Sequence, residues 1–255
     1  MELWSIEHLK TLLPATVIYA VIAFVLRVLL IKKDIKIRMI PFQVLAVILF
    51  ALEVGKQVIS FKRGYDLYHL PFHFCSLFIF MLPLTAFYRG KGQNCLRAVT
   101  MSLCMAVFFL MMLYPCLIYS GGNVLAFFKE YMSFHTVAFH NIVIFEFFIM
   151  LFLELYKPED KKTEQRAVVI FMLVFVVIAA VMAQILKTNY ANMYHCNVPP
   201  AENIRIMMQG KLGYAVAQII YVAIVGGLHT VFTWLSYLVC RGLMKLLARR
   251  KKNAN

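Results

Sequence analysis

The sequence predicts an all-α, polytopic membrane protein with seven transmembrane helices, and three observations carry that prediction. Of its 255 residues, 62% are hydrophobic and only 15% are charged, with a mean hydropathy of +0.77. Soluble globular chains run roughly 45–50% apolar and about 25% charged, so this chain has too little polar surface to cover a water-soluble core. The apolar residues also come in blocks of about twenty, the length of helix that crosses ~30 Å of hydrocarbon. Finally, the basic residues fall mostly between these blocks. Together these exclude a soluble enzyme, a disordered chain and a disulfide scaffold. The net charge of +14 would suggest nucleic acid in a soluble domain. Between hydrophobic blocks it answers instead to anionic headgroups and to orientation, so no nucleic-acid partner is expected.

The spans are predicted at residues 13–31, 39–59, 67–88, 98–119, 134–156, 167–186 and 212–240. They form one domain over residues 1–255, ending in a basic tail at about 241–255. Pro14, Pro41 and Pro71 fall in or near first turns, where a missing N–H costs little. Pro83 and Pro115 lie near far ends, where a kink or an early stop is expected. Seventeen of the 26 Lys and Arg lie in the first, third and fifth loops and in the tail. The positive-inside rule then places the amino terminus outside and the tail in the cytoplasm. The start, Met1-Glu2-Leu3-Trp4, offers no basic n-region and no small-residue cleavage site follows, so the first block reads as a span. The longest connection, 187–211, contains Asn189-Tyr190-Ala191-Asn192 and Pro199-Pro200 and reads as a structured outer loop. Cys116 and Cys196 both fall at the outer face, where a disulfide between them is compatible with the topology. Short loops and the lack of a sorting signal point to a bacterial plasma membrane.

Ionisable groups inside a bilayer cost at least ~2.5 kcal/mol each, so their positions are informative. Counting residues from the outer ends puts Glu53, Cys75 and His140 at one depth, roughly 9–12 Å below the outer face. Lys56 is one turn above Glu53, and His73, His135 and Gln218 fall in the same outer third. Spans two, three, five and seven are therefore expected to converge on a polar pocket open to the outer leaflet. Blander roles stand beside each residue. His135 is either a solvated helix entrance or a pocket group. Glu53 and Lys56 are either a neutralising pair or substrate ligands. His69 and His73 share a face at i, i+4 and serve either a metal or waters and backbone. Arg27 is one turn from the cytoplasmic end and snorkels. Glu146 and His229 lie nearer the midplane, where contact with each other would suffice.

Gly-x-Ser-x-Gly, phosphate-binding glycine loops and Cys-x-x-Cys pairs are absent from the sequence. What remains is a cysteine with histidines at matching depth, a set that performs acyl chemistry without a cofactor. A thiolate attacks an ester carbonyl, and an imidazole takes the thiol proton and returns it to the leaving alcohol. A rival assignment has His69, His73 and His140 holding a catalytic zinc ion. Another makes the polar layer the substrate pocket of a transporter or receptor.

The stretch His69-Leu70-Pro71-Phe72-His73-Phe74-Cys75-Ser76-Leu77 resembles the hallmark of the bacterial YwaF-like integral membrane proteins. The Phe134-x5-His140 entry to the fifth span and the outer-loop Asn189-Tyr190 fit the same pattern, so the resemblance covers nearly the whole chain. That family is similar to the eukaryotic transmembrane acyltransferases that place polyunsaturated acyl groups on lyso-ether phospholipids. More distantly it resembles the androgen-induced hydrolases of fatty-acid esters. The resemblance implies Cys75 as nucleophile and His140 as base, with His135 the alternative base, and membrane phospholipid as the partner. His73, Glu53, Lys56, Asn189, Tyr190 and Gln218 are the expected substrate ligands. One departure is plain: Ser76 follows Cys75 where the eukaryotic members carry histidine, and His73 precedes it by two.

Overall fold

The computed structural model describes the backbone of residues 3–254 and the side chains of residues 3–249. Met1 and Glu2, and the side chains of Arg250, Lys251 and Lys252 in the basic tail, lie outside it. Among the described residues the chain forms helices and no strand. The helices are α1 (Ile6–Leu30), α2 (Ile35–Arg38), α3 (Ile40–Lys62), α4 (Leu77–Phe87), α5 (Gln93–Leu113), α6 (Gly121–Leu125), α7 (Tyr131–Phe152), α8 (Lys161–Leu186), α9 (Pro199–Leu212) and α10 (Tyr214–Ala254). Among the described residues six segments are long and apolar enough to cross a membrane: α1, α2 with α3, α5, α7, α8 and α10 as far as Arg249.

The third expected span is not one helix. Its lower half is α4, only 11 residues long, and its upper half is a short 3₁₀ turn at Leu67–His69 followed by irregular chain. Contacts fix its two ends. The Tyr190 hydroxyl donates to the Leu67 carbonyl at the upper end of the bundle, and Gln43 Nε2 donates to the Ala86 carbonyl at the lower end, 3.0 Å away. Non-helical backbone at membrane depth requires protein partners or a polar cavity, because hydrocarbon offers none. Pro71 and the polar His69 and His73 in adjacent turns explain why a regular helix is not sustained there.

α5 is the central helix and packs against α4, α7, α8 and α10. It is buried all round from Ala98 to Val107, and Ala98, Thr100, Ser102, Cys104 and Ala106 alternate there with larger apolar residues. Small side chains let neighbouring helices approach, and the approach supplies the dispersion contacts that hold a bundle together in lipid. Thr85 of α4 and Thr100 of α5 share a buried hydrogen bond of 2.6 Å across this interface. α1 lies at the periphery against α6 and α7. It begins seven residues earlier than the hydrophobic block suggests, because Ser5 and His8 form a capping box that extends the helix past the polar residues.

The lower end is closed by buried charge. Arg27 Nη1 donates to the Phe152 carbonyl at 2.7 Å and Arg38 Nη1 to the Leu153 carbonyl at 2.8 Å. Both guanidinium groups thus sit at the α7 carboxyl terminus, where the free carbonyls favour positive charge. Arg27 also pairs with Glu154 at 2.8 Å, so it anchors the end of α7. Glu164, at the start of α8, accepts from Tyr156 (2.6 Å), Tyr237 (2.8 Å), the Glu159 backbone (2.8 Å) and Arg241. Arg241 is therefore no tail residue. α10 continues unbroken past Cys240, and Arg241 is buried within the bundle.

Candidate functional site

Two histidines on α7 face the interior one and a half turns apart, and each is oriented by a different group. His135 Nε2 donates to Glu53 Oε2 of α3 at 3.0 Å. Glu53 Oε1 in turn accepts from Lys56 Nζ at 2.7 Å and from Gln57 Nε2 at 2.7 Å. Gln57 also donates to the His69 carbonyl (3.0 Å) and accepts from Tyr65 (2.8 Å), which ties the irregular segment to α3. Glu53 is 4% exposed, so each of these charge-assisted bonds replaces water that it has lost. Glu53 and Lys56 thus form the neutralising pair that was one of their two readings, with His135 as a third member.

His140 is anchored by its own helix. Its Nδ1 lies 2.7 Å from the Thr136 carbonyl, which can only accept, so Nδ1 carries the proton. Nε2 is then a lone-pair acceptor, and that atom is buried with no hydrogen-bond partner in the protein. The Glu53–His135 bond levels α3 with α7, and five residues at 1.5 Å put His140 about 7.5 Å deeper than Glu53. Equal counts from the helix ends misplace them because α7 starts lower than α3 ends. Tyr131, first residue of α7, already donates to the Leu52 carbonyl at 2.9 Å. Gly55 admits that contact: a Cβ there would lie 2.1 Å from the Tyr131 hydroxyl.

These side chains border one cavity of about 330 Å³. Glu53, Lys56, His135 and His140 form its α3 and α7 walls, and His69, His73, Cys75 and Ser76 of the irregular segment face them. Asn189, Asn192 and Asn197 of the connection before α9 lie on the upper side, and His229 of α10 lies on the lower. Cys75 sits in a run of i→i+3 bonds leading into α4: Ser76 N to the His73 carbonyl at 3.0 Å, and Phe78 N to the Cys75 carbonyl at 3.2 Å. The thiol therefore lies beside the positive end of the α4 dipole. His73 Nε2 donates to the Tyr68 carbonyl at 3.0 Å.

Two expected ligands do not border the cavity. Tyr190 is fully buried, with its hydroxyl on the Leu67 carbonyl and its ring edge-on to Phe72 and His73. Gln218 donates to the Met193 carbonyl (2.9 Å) and accepts from Arg205, fastening the connection onto α10. Both act by holding pocket walls. The connection is structured as expected, and its Ala191 and Asn192 have φ of +49° and +60°, a strained pair at the cavity's upper edge. Outside the spans, the Arg205 side chain bonded to Glu202 holds that carboxyl below its ordinary value.

Other expectations resolve differently. Cys116 and Cys196 are both free, and Cys116 Sγ instead lies 3.8 Å from His8 Nδ1. No hydrogen bond joins Glu146 to His229: neither Glu146 oxygen has a partner, and His229 packs against Phe74 with ring centroids 5.6 Å apart. Among the described residues no three His, Cys, Asp or Glu side chains are grouped to hold a metal ion. The zinc set of His69, His73 and His140 is therefore not assembled, and His73 Nε2 is committed to the Tyr68 carbonyl. The sequence singles out His229 as an ionisable group inside a span but points to Glu146 as its partner, whereas the structure places it on the cavity wall. No curated protein and no solved structure matches this chain. The sequence profile of the TMEM164 family matches residues 3–229, nearly the whole length, and the chain belongs to that family of transmembrane proteins.

Proposed function

We propose that this protein is an intramembrane lipid-modifying enzyme that moves an acyl group from a phospholipid ester through a thioester on Cys75. The observation that carries the reading is His140 Nε2, a buried imidazole acceptor without a protein partner, on the wall of the cavity that Cys75 also borders. A buried acceptor left unpaired costs about 1–3 kcal/mol, a cost that a substrate or thiol proton removes. In the reaction, Nε2 takes the thiol proton as sulfur bonds to the ester carbonyl carbon. The carbon–oxygen bond then breaks, and the imidazolium returns the proton to the leaving alkoxide. The α4 amino terminus favours the thiolate, as helix amino termini favour anions. Lys56 supplies a polar contact for the headgroup. Asn189, whose amide bonds Asn192, Asn197 and the Tyr194 and His195 backbone, holds the cavity wall, and His73 and Tyr190 keep the irregular segment in place. His135, occupied by Glu53, is the weaker candidate for the base.

The same reading makes the Leu67–Phe87 segment a seventh, broken crossing and puts the amino terminus outside. The cavity then opens in the outer leaflet of a plasma membrane, with phospholipid as donor. Discharge of the thioester by water gives a hydrolase, and discharge by a lipid hydroxyl gives a transferase. The test is acyl exchange between labelled phospholipid and lysophospholipid in proteoliposomes. Cys75→Ala should abolish it, Cys75→Ser should retain little, and His140→Ala should slow it by roughly 10²–10⁴-fold. Full exchange by Cys75→Ala ends the proposal.

A further inference from the structure

The cavity holds a second histidine in the same electronic state as His140. His229 Nδ1 lies 3.0 Å from the Val225 carbonyl, four residues back on α10, so Nδ1 carries the proton and Nε2 is the acceptor. The device matches His140, which donates Nδ1–H to its own i−4 carbonyl on α7. The two rings lie on different walls of one cavity that Cys75 also borders. Phe74 lies against the His229 ring at 30° and 5.6 Å, and Phe74 is the residue that precedes the thiol in the chain. A lone histidine inside a span is costly, and no carboxylate or metal ligand set among the described residues accounts for this one.

We infer that His229 is the base for the second half of the reaction, activating the hydroxyl acceptor that discharges the Cys75 thioester. This rests on the thioester reading above. A transferase has two different proton donors to serve, the thiol and then the acceptor alcohol, and the acceptor approaches after the first leaving group has gone. In the step assigned here, His229 Nε2 removes the acceptor O–H proton as that oxygen bonds to the thioester carbonyl carbon. The carbon–sulfur bond breaks and the electron pair leaves with sulfur. The His229 imidazolium then gives its proton to the thiolate, directly or through His140, and both histidines end neutral. No oxidant, metal or further reactant is required.

The two half-reactions separate in a single experiment on the purified full-length protein in nanodiscs. A p-nitrophenyl fatty-acid ester serves as donor, and intact mass reads the Cys75 adduct. Lysophosphatidylcholine, water or hydroxylamine is then added, and loss of the adduct is timed. His229→Gln should form the adduct within about twofold of the wild-type rate. It should discharge to lysophosphatidylcholine roughly 10²-fold more slowly, the lower end of what a positioned base contributes. Hydroxylamine, which needs little base assistance, should still discharge the variant at close to the wild-type rate. A merely structural role would slow hydroxylamine as well. If water discharge falls with lysophosphatidylcholine discharge, His229 serves any hydroxyl acceptor; if only the lipid arm falls, the acceptor it serves is the lysolipid. Equal slowing of both half-reactions, or of neither, overturns the assignment. If His229→Gln does not fold, His229→Asn supplies the same rates. A wild-type chain that forms no adduct removes the thioester reading itself, an outcome distinct from a variant that acylates and discharges normally.

Discussion

His135 and His140 share a helix but offer the cavity different nitrogens. The Glu53 carboxylate holds His135 by Nε2, whereas the Thr136 carbonyl holds His140 by Nδ1 and leaves Nε2 open. Partnership decides which residue is structural. Glu53 joins Lys56, Gln57 and His135 at 4% exposure, so removing its charge strands an ammonium in an apolar setting. Breaking a buried pair from one side costs about 3–5 kcal/mol, whereas replacing both members is far milder. Glu53→Gln should therefore lower the thermal unfolding midpoint in detergent, and Glu53→Gln with Lys56→Met should recover most of the loss. His140→Gln, which leaves no partner stranded, should leave that midpoint nearly unchanged. Recovery absent from the double variant would show that the pair is not the coupled unit. Cys75, His140, Glu53 and Lys56 were legible as pocket residues because polar groups in apolar spans stand out. The partner of each was not, since tautomers and pairings depend on helix heights that sequence counts do not give.

At the scale of elements, the decisive piece is the half-helix α4 and the irregular chain above it. Hydropathy alone reads 67–88 as a span, but its helix is α4, 11 residues long, with Tyr190 bonded to the Leu67 carbonyl and Gln43 to the Ala86 carbonyl. Hydropathy does not reveal that its upper half is held by side chains: Gln57 to the His69 carbonyl, Tyr190 to the Leu67 carbonyl, His73 to the Tyr68 carbonyl. These bonds satisfy backbone groups that a helix would satisfy internally. Tyr190→Phe removes one of them, at a cost of about 1 kcal/mol, and leaves the Leu67 carbonyl with only its turn bond from Leu70 N. Amide hydrogen exchange over residues 67–76 should quicken in that variant while α5 and α7 stay protected. Unchanged exchange in 67–76 would mean that the loop does not depend on the outer connection. The Glu164 centre is the counterpart at the lower end, joining α8, α10 and the α7–α8 connection through Tyr156, Tyr237 and Arg241. Glu164→Ala leaves the buried Arg241 without its anion and should destabilise by about 3–5 kcal/mol. A thermal midpoint within one degree of wild type would contradict that. Sequence reading placed Arg241 in the tail because it follows a hydrophobic block; nothing in the chain signals that Glu164 awaits it.

For the whole molecule, the all-helical membrane class follows from composition, whereas six rather than seven helices among the described residues are long and apolar enough to cross. The arrangement follows from where small and polar side chains permit close approach. α5 is central because it is buried all round from Ala98 to Val107, where small side chains between the larger ones permit close approach. The cavity exists because α4 is short and the chain before it, which lines the cavity with His69, His73 and Cys75, is irregular. The 17 basic residues gathered at loops one, three and five and at the end of α10, the buried Arg241 among them, predict a cytoplasmic carboxyl terminus, with Lys129 on the opposite face. Membrane-impermeant thiol labelling should reach a cysteine introduced at Lys129 and miss one introduced at Lys245. The reverse pattern would move the cavity to the inner leaflet. The central claim is that Cys75 carries an acyl group during turnover. Its most direct measurement is intact-protein and peptide mass spectrometry after rapid mixing with a fatty-acyl phospholipid and acid quench. The account predicts one acyl mass on the peptide containing Cys75, removed by neutral hydroxylamine, absent in Cys75→Ala and slow to appear in His140→Ala. Acyl turnover with Cys75 unmodified at every time point, or an adduct that persists in Cys75→Ala, would contradict it.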